Sequence, residues 1–228
     1  MGRTLSLDIG GTSIKTALLD ERGKLATKLL RVVTPRPATP ARVLDAIADV
    51  AATLEPFDRV SAGFPGVVVN GVTRTAPNLH DEWRDFPLAK ELARRLGAPA
   101  RVINDAGMHG FAVIENRGAE LVLTLGTGVG CALYVDGTYV PNLELAHHPF
   151  DGSHTYEGYV GLRAFEKLGK KRWNERMERV LERVVTLFNP DAVYVGGGNA
   201  TQLEIELPQN VRVVDNSAGV MGGAALWR

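Results

Sequence analysis

The run Leu5-Ser-Leu-Asp-Ile-Gly-Gly-Thr-Ser-Ile-Lys15 constrains the fold most, because an apolar strand pattern empties into Asp8-Ile9-Gly10-Gly11-Thr12 and resumes from Ile14 to Leu19. Two strands joined by a glycine pair predict a β-hairpin. The missing Cβ atoms let backbone N–H groups approach an anion, and consecutive amides facing one concavity bind phosphate oxygens without a charged side chain. Thr12 and Lys15 add a hydroxyl and a cation. A strand follows the loop and not a helix, which argues against a Walker loop and a dinucleotide fingerprint. An ordinary turn with a solvated Asp8 and Lys15 is the alternative reading of the same residues.

The pattern returns at Leu121-Val-Leu-Thr-Leu-Gly-Thr-Gly-Val-Gly130, followed by Cys131 to Val135 and Asp136-Gly137. Aligning Asp8-Ile-Gly10 with Thr124-Leu-Gly126 also brings Asp20 onto Asp136. A hairpin repeated once per half implies two related domains whose loops face each other across a cleft. Chance likeness between short glycine-rich hairpins is the other explanation. A chain of 228 residues accommodates one large domain or two modest ones.

In order, Leu25 to Val33 reads as a third strand, stopped by the prolines of 34–40. Thr39 and Pro40 open a helix with apolar positions Val43, Leu44, Ile47, Val50 and Ala51, running through Leu54. Strand Arg59 to Phe64 ends in Gly63-Phe-Pro-Gly66, a hairpin surrounds Asn70-Gly71, and Pro87 to Leu96 is a helix stopped by Gly97. Strand Ala100 to Ile103 runs into Asn104-Asp105, and a helix from there continues to about Asn116. This series is the pattern of an α/β, ribonuclease-H-like layer with a mixed sheet. In the second half Pro141 to Ser153 reads as a polar loop and His154 to Phe188 as helices divided near Gly169. Asp191 to Val195 is a strand ending in Gly196-Gly-Gly198, then a strand spans Val211 to Val214 and a short helix Ser217 to Trp227. The expected domains are 1–116, joined by helix 217–228, and 117–216.

With 26 basic and 26 acidic residues the chain has no general attraction to nucleic acid or anionic lipid, so any anion site is local. The single cysteine, Cys131, excludes an internal disulfide and a cysteine zinc site, which fits a cytoplasmic location. No apolar run reaches the roughly 18 residues of a spanning helix, and a strand begins too near Met1 to leave room for a signal peptide.

Taken in order, Asp8-Ile-Gly-Gly-Thr12, Gly63-Phe-Pro-Gly66, Ala76-Pro-Asn-Leu79, Asn104-Asp105, Leu125-Gly-Thr-Gly-Val-Gly130, Pro141-Asn-Leu-Glu-Leu-Ala-His147 and Gly196-Gly-Gly198 resemble the motifs of the ROK sugar kinases, particularly their polyphosphate glucokinase-like branch. The resemblance spans nearly the whole chain. It implies the actin-like ATPase fold, with two ribonuclease-H-like domains around a cleft and the C-terminal helix packed on the first. It also implies phosphoryl transfer from ATP or polyphosphate to a hexose, foremost O6 of glucose.

Such transfer needs a base at the hydroxyl, donors around the phosphates and a metal to spread charge. Asp105 is the expected base, with Asn104 beside it holding a neighbouring hydroxyl; a helix N-cap is the competing role for the pair. By resemblance Glu144, His147 and Glu157 join Asn104 and Asp105 as sugar ligands, with Asn78 contributing from its loop. Gly10, Gly11, Thr12 and Lys15 form one phosphate lip and Gly126, Thr127 and Gly128 the other. Gly196, Gly197 and Gly198 lie at the nucleoside or the far end of the donor. Asp8 is expected near Mg2+, through water, since a hard cation that keeps its waters needs only one or two carboxylates. Many members of the family carry a cysteine-rich zinc hairpin after the histidine; here no zinc site is expected, and the adjacent His148 is read as solvent-facing.

The chain departs from that branch at Gly107, where an acidic residue is usual, and at Asn199-Ala-Thr-Gln202, where a lysine is usual, so the donor stays open between ATP and polyphosphate. Lys167, Lys170, Lys171, Arg172, Arg176, Arg179 and Arg183 can track a polyanion, but interspersed Glu166, Glu175, Glu178 and Glu182 favour a solvated helix with i,i+4 ion pairs. A transcriptional regulator of this type requires a helix-turn-helix ahead of the first strand. A sugar sensor without turnover has no need of a base. Monomer or homodimer, and glucose or mannose, are left open.

Overall fold

The computed structural model describes residues 2–77, 79–215 and 218–228. Contacts divide the chain into two compact units, Met1–Ala112 with Ser217–Arg228, and Val113–Asn216.

In the first unit, β1 (Thr4–Ile9) and β2 (Ser13–Leu19) form the expected hairpin, and β3 (Leu30–Val33) is its third strand. The third strand is shorter than its apolar pattern suggested. Only Leu25 bridges back to Leu19, because the Thr27 hydroxyl takes the Leu18 N–H at 3.0 Å and interrupts the ladder. Helix α1 (Pro40–Ala51) ends short of Leu54, and Thr39 stands at its N-cap without a side-chain capping bond. Then follow β4 (Arg59–Phe64), the small hairpin of β5 (Val68–Val69) and β6 (Val72–Thr73), helix α2 (Leu88–Leu96), β7 (Ala100–Asn104) and α3 (Asp105–Gly110).

The sheet order is β3-β2-β1-β4-β7, with β4 parallel to both β1 and β7. Side chains alternate along a strand. Leu5, Leu7 and Ile9 therefore enter the core with Val43, Leu44 and Ile47 of α1 and Leu88 and Leu92 of α2. Ser6 and Asp8 take the other face, where the Ser6 hydroxyl donates to the Val220 carbonyl at 2.6 Å. There the C-terminal segment packs on β1, β4 and α3.

Helix α3 stops at Gly110, not near Asn116. The carboxylate of Glu120, 1% exposed, accepts the amides of Glu115 at 2.6 Å and Arg117 at 3.0 Å. Two consecutive-turn amides held by one buried side chain cannot also serve a helix.

The second unit contains β8 (Ala119–Leu125), β9 (Val129–Val135), β10 (Thr138–Val140), β11 (Pro149–Asp151), β12 (His154–Thr155), α4 (Tyr156–Val160), α5 (Leu162–Phe188), β13 (Ala192–Gly196) and β14 (Val211–Val213). Its main sheet runs β10-β9-β8-β13-β14, with β8 antiparallel to β9 and parallel to β13. Order and strand directions match the first sheet, so the repeated hairpins mark a repeated architecture. The stretch read as a loop up to Ser153 instead holds β11, and the helical region begins at Tyr156. Gly169 breaks α5 as expected, with φ 74°. Trp173, Met177, Val180, Leu181 and Val184 of that helix cover Leu121, Leu123 and Leu125.

The chain returns to the first unit in α6 (Ala218–Met221) and a 3-10 segment, Gly222–Trp227; Ser217, expected to start this helix, lies outside the described residues. No helix among the described residues is long and apolar enough to cross a membrane.

Candidate active site

Asp8 closes β1 directly opposite Lys15, and the register places the two side chains on one face. Their charged groups meet at 3.1 Å, with each side chain about a fifth exposed, 18% and 21%. Beyond them the glycine loop is held by its carbonyls. Gly10 O accepts the Thr34 hydroxyl at 2.6 Å, Gly11 O accepts the Arg36 guanidinium at 2.7 Å, and Thr12 O accepts the Thr34 amide at 3.0 Å. In a trans peptide the carbonyl and the following N–H point opposite ways. Anchoring the Gly10 and Gly11 carbonyls therefore turns the Gly11 and Thr12 amides away from the anchors. The Gly10 amide closes the hairpin on Ser13 O at 3.0 Å.

The loop of the second unit is built likewise. Gly126 O accepts the Asn199 side-chain amide at 3.2 Å and Thr127 O accepts the Leu162 amide at 3.4 Å, which turns the Thr127 and Gly128 amides the other way. Gly197 brings the third glycine turn against this loop. Its φ is 88°, and a Cβ there meets Leu125 O at 2.3 Å, so no other residue fits. Thr34, Arg36 and Asn199 were not singled out from sequence as supports of these loops; a polar side chain that acts on a distant carbonyl leaves no local pattern.

At the end of β7, Asn104 caps α3 and is 8% exposed; its Oδ1 accepts the amides of Ala106 at 2.9 Å and Gly107 at 3.2 Å. Its Nδ2 donates to Gly66 O at 3.2 Å, which ties the cap to the Gly63-Phe-Pro-Gly66 turn. The capping alternative is thus met by Asn104. Asp105, half-buried, accepts the Ala106 amide at 2.8 Å. Gly63 pairs with Asp8 in the sheet, and a Cβ on Gly63 stands 3.1 Å from Asp105 Cα. The absent side chain lets α3 settle onto the strand end and brings Asp8 and Asp105 to one corner. Asn78 lies outside the described residues.

In the second unit Glu144 and His147 approach to 3.7 Å across a 3-10 turn, Leu145–His147. Burial raises the Glu144 carboxyl above its ordinary value; the charge of Glu157 adds to this and His147 opposes it. Glu157 stands in the first turn of α4, where Thr155 caps the helix through the Gly158 amide at 3.1 Å. Three polar side chains thus share one locality. Cys131 lies behind them, its thiol pushed up to about 12 by burial and then by Glu144, so it stays an inert neutral group.

Among the described residues no three His, Cys, Asp or Glu side chains cluster as a metal site. Among the described residues no i,i+4 ion pair stands along α5: Arg179, four after Glu175, reaches the Tyr159 hydroxyl at 3.5 Å, while Arg176 and Arg183, with no glutamate at that spacing, turn to the rings and carbonyls of Tyr159 and Phe150. Among the described residues, Lys170 with Glu204 is the ion pair this helix makes.

Residues 4–141 match the family model described as "ROK family". The chain is 31% identical over 238 residues to the polyphosphate glucokinase of Mycobacterium leprae (strain TN), covering 97% of this chain and 74% of the relative. A solved inorganic polyphosphate/ATP-glucomannokinase from Arthrobacter sp. strain KM is 35% identical, with TM-score 0.91 and full coverage of both chains. A ROK family glucokinase from Streptomyces griseus, solved with glucose and AMPPNP, shares the fold at 21% identity and TM-score 0.81, covering 99% of each chain. Motifs, repeated sheets and relatives agree that this chain belongs to the ROK family and has its actin-like ATPase fold.

Proposed function

We propose that this protein is a glucokinase-like phosphotransferase that moves a phosphoryl group from ATP or polyphosphate to the O6 hydroxyl of glucose. The observation that carries the reading is the pair of glycine loops, each held by its carbonyls so that successive amides are presented for an anion. Oriented amides bind phosphate through fixed partial charges and need no reorganisation as charge develops. Gly11, Thr12 and Lys15 serve one part of the donor and Gly126, Thr127 and Gly128 another. Gly196, Gly197 and Gly198 lie at its far end.

Asp105 accepts the hydroxyl proton as the sugar oxygen forms its bond to phosphorus and the bridging P–O bond to the donor breaks. Asn104, Glu144, His147, Glu157 and Asn78 hold the remaining hydroxyls, since carboxylates accept directional bonds from vicinal O–H groups. Asp8 is the carboxylate of this lip that would hold Mg2+, its side chain 18% exposed beside Lys15. Held by Asp8 through water, the ion would supply positive charge to offset that of the phosphates. A cytoplasmic location belongs to the same reading, supported by the unpaired cysteine.

The test crosses ATP and polyphosphate with glucose, mannose and other hexoses and measures the sugar phosphate formed by the purified protein. Glucose 6-phosphate from at least one donor is expected. Sugar binding without turnover under any combination overturns the kinase reading in favour of a sensor, and a preference for mannose overturns the assignment of glucose.

A further inference from the structure

Glu144 and His147 are joined to Glu157 by the hairpin of β11 and β12, which is too short to hold itself in place. Isolated two-stranded hairpins are marginal in water even when longer. What holds this one is a run of rings and guanidinium groups. Phe150, buried on β11, stacks on Tyr159 at 4.2 Å between centroids and meets the edge of Tyr156 at 5.0 Å. Arg183 of α5 lies over the Phe150 ring with its Cζ 4.0 Å from the centroid, and it donates to the Phe150 carbonyl. The Arg183 charge also reaches the Tyr156 phenol, opposing the rise that burial imposes on it. Two turns earlier on the helix, Arg176 lies 4.3 Å over the Tyr159 ring and donates to the Tyr159 carbonyl at 3.0 Å.

Arg183 therefore holds the hairpin from one rigid helix at Phe150, after His147, and through the edge contact of that ring reaches Tyr156, before Glu157. The connection onward is short. The Tyr156 amide donates to His148 O at 3.2 Å, the His148 amide to Leu145 O at 3.0 Å, and the His147 amide to Glu144 O at 3.3 Å. A planar guanidinium serves a ring face and a carbonyl oxygen of the same residue at once, which an ammonium cannot do in the same geometry.

We propose that Arg183 is a positioning residue for sugar recognition, acting through Phe150 and Tyr156 to fix the placement of Glu144, His147 and Glu157. The inference rests on the reading of those three residues as sugar ligands. A loop that must be ordered on binding lowers affinity for the ligand it serves and leaves other ligands untouched.

The test uses the full chain with Arg183→Met, which keeps the aliphatic stem, and Arg183→Lys, which keeps the charge. Amide exchange across 144–157 is expected to quicken by about tenfold in Arg183→Met, and the glucose KM to rise by about 5–20-fold with kcat and the donor KM within about threefold. Arg183→Lys should recover only part of the loss. Unchanged exchange in that segment overturns the proposal, as does a donor KM that rises with the glucose KM, which signals general loosening of the unit. If the wild-type protein phosphorylates no hexose, the functional reading fails by itself, and the exchange arm still decides whether Arg183 fixes this loop.

Discussion

The side-chain nitrogen of Asn104 donates to the Gly66 carbonyl at 3.2 Å while its oxygen caps α3, so one residue fixes both the turn after β4 and the start of the helix that carries Asp105. Because Asn104 already fills the capping role, the Asp105 carboxylate is not required to start the helix. Asp105→Asn is expected to keep glucose affinity within a few-fold and lower kcat by about 10²-fold or more, the range for loss of a general base. Calorimetry for binding and steady-state kinetics for turnover check this. Near-normal turnover returns Asp105 to a structural part.

Gly63 offers a second probe of the same corner. A Cβ there stands 2.9 Å from Met108 Cε and 3.1 Å from Asp105 Cα; the methionine end can swing aside, but the helix backbone has to shift by a few tenths of an ångström. Small displacements of a reacting group are costly in rate, up to about 10²-fold per ångström. Gly63→Ala should therefore lower kcat by about tenfold while the melting temperature falls only a few degrees. A drop in stability without the kinetic loss would mean that α3 does not set the reacting geometry.

How much of this was readable beforehand differs by element. The β1–β2 and β8–β9 hairpins, strand β4 and the break at Gly169 follow from local rules of alternation and glycine placement, and they stand where those rules put them. The early stop of α3 does not, because it depends on Glu120, a residue of the next strand that reaches back to the amides of Glu115 and Arg117. The arginines of α5 misled for a similar reason. Glu175 stands four residues before Arg179 and spells an ion pair, but Arg179 reaches instead to the Tyr159 hydroxyl at 3.5 Å, 20 positions away in the chain, and an exposed ion pair is worth too little to hold it. Local geometry at the candidate site was legible where a motif is contiguous, as in the hairpin loop of Asp8-Ile-Gly-Gly-Thr12. Its supports, Thr34, Arg36 and Asn199, act across the fold and only the structure exposes them.

Asn199 opens the stretch Asn199-Ala-Thr-Gln202, in which the resemblance predicts a lysine, and its side chain tethers the third glycine turn to Gly126 O at 3.2 Å. Under the proposed function its contribution is to the loop that binds the donor. Asn199→Ala removes one neutral hydrogen bond, worth about 0.5–1.5 kcal/mol, so the donor KM should rise by about 2–10-fold while the glucose KM stays constant. Donor titrations at saturating glucose measure it. An equal rise in both constants would place the tether in general folding of the unit.

With sugar bound as proposed, its recognition should depend on pH through Glu144. Burial, reinforced by Glu157 and opposed by His147, raises its carboxyl above the ordinary 4.5. The sign has two consequences. Ionising this group costs more in the folded protein than in the unfolded chain, so its contribution to stability is fullest below pH 4.5 and is lost as pH rises through the elevated value. Glucose hydroxyls donate to a carboxylate, so binding favours the ionised form and opposes that trend. Accordingly kcat/KM for glucose should fall on the acid side with a midpoint above 4.5, and bound glucose should stabilise the protein more at neutral pH than at acid pH. Glu144→Gln should raise the glucose KM at neutral pH and remove the part of that acid limb that belongs to Glu144, because the amide does not titrate, leaving the part set by the proposed base Asp105. Steady-state kinetics of both proteins between pH 4 and 8, with melting curves with and without glucose, test the assignment. An acid limb that persists unchanged in Glu144→Gln would show that another group controls it and that Glu144 does not bind sugar as the carboxylate.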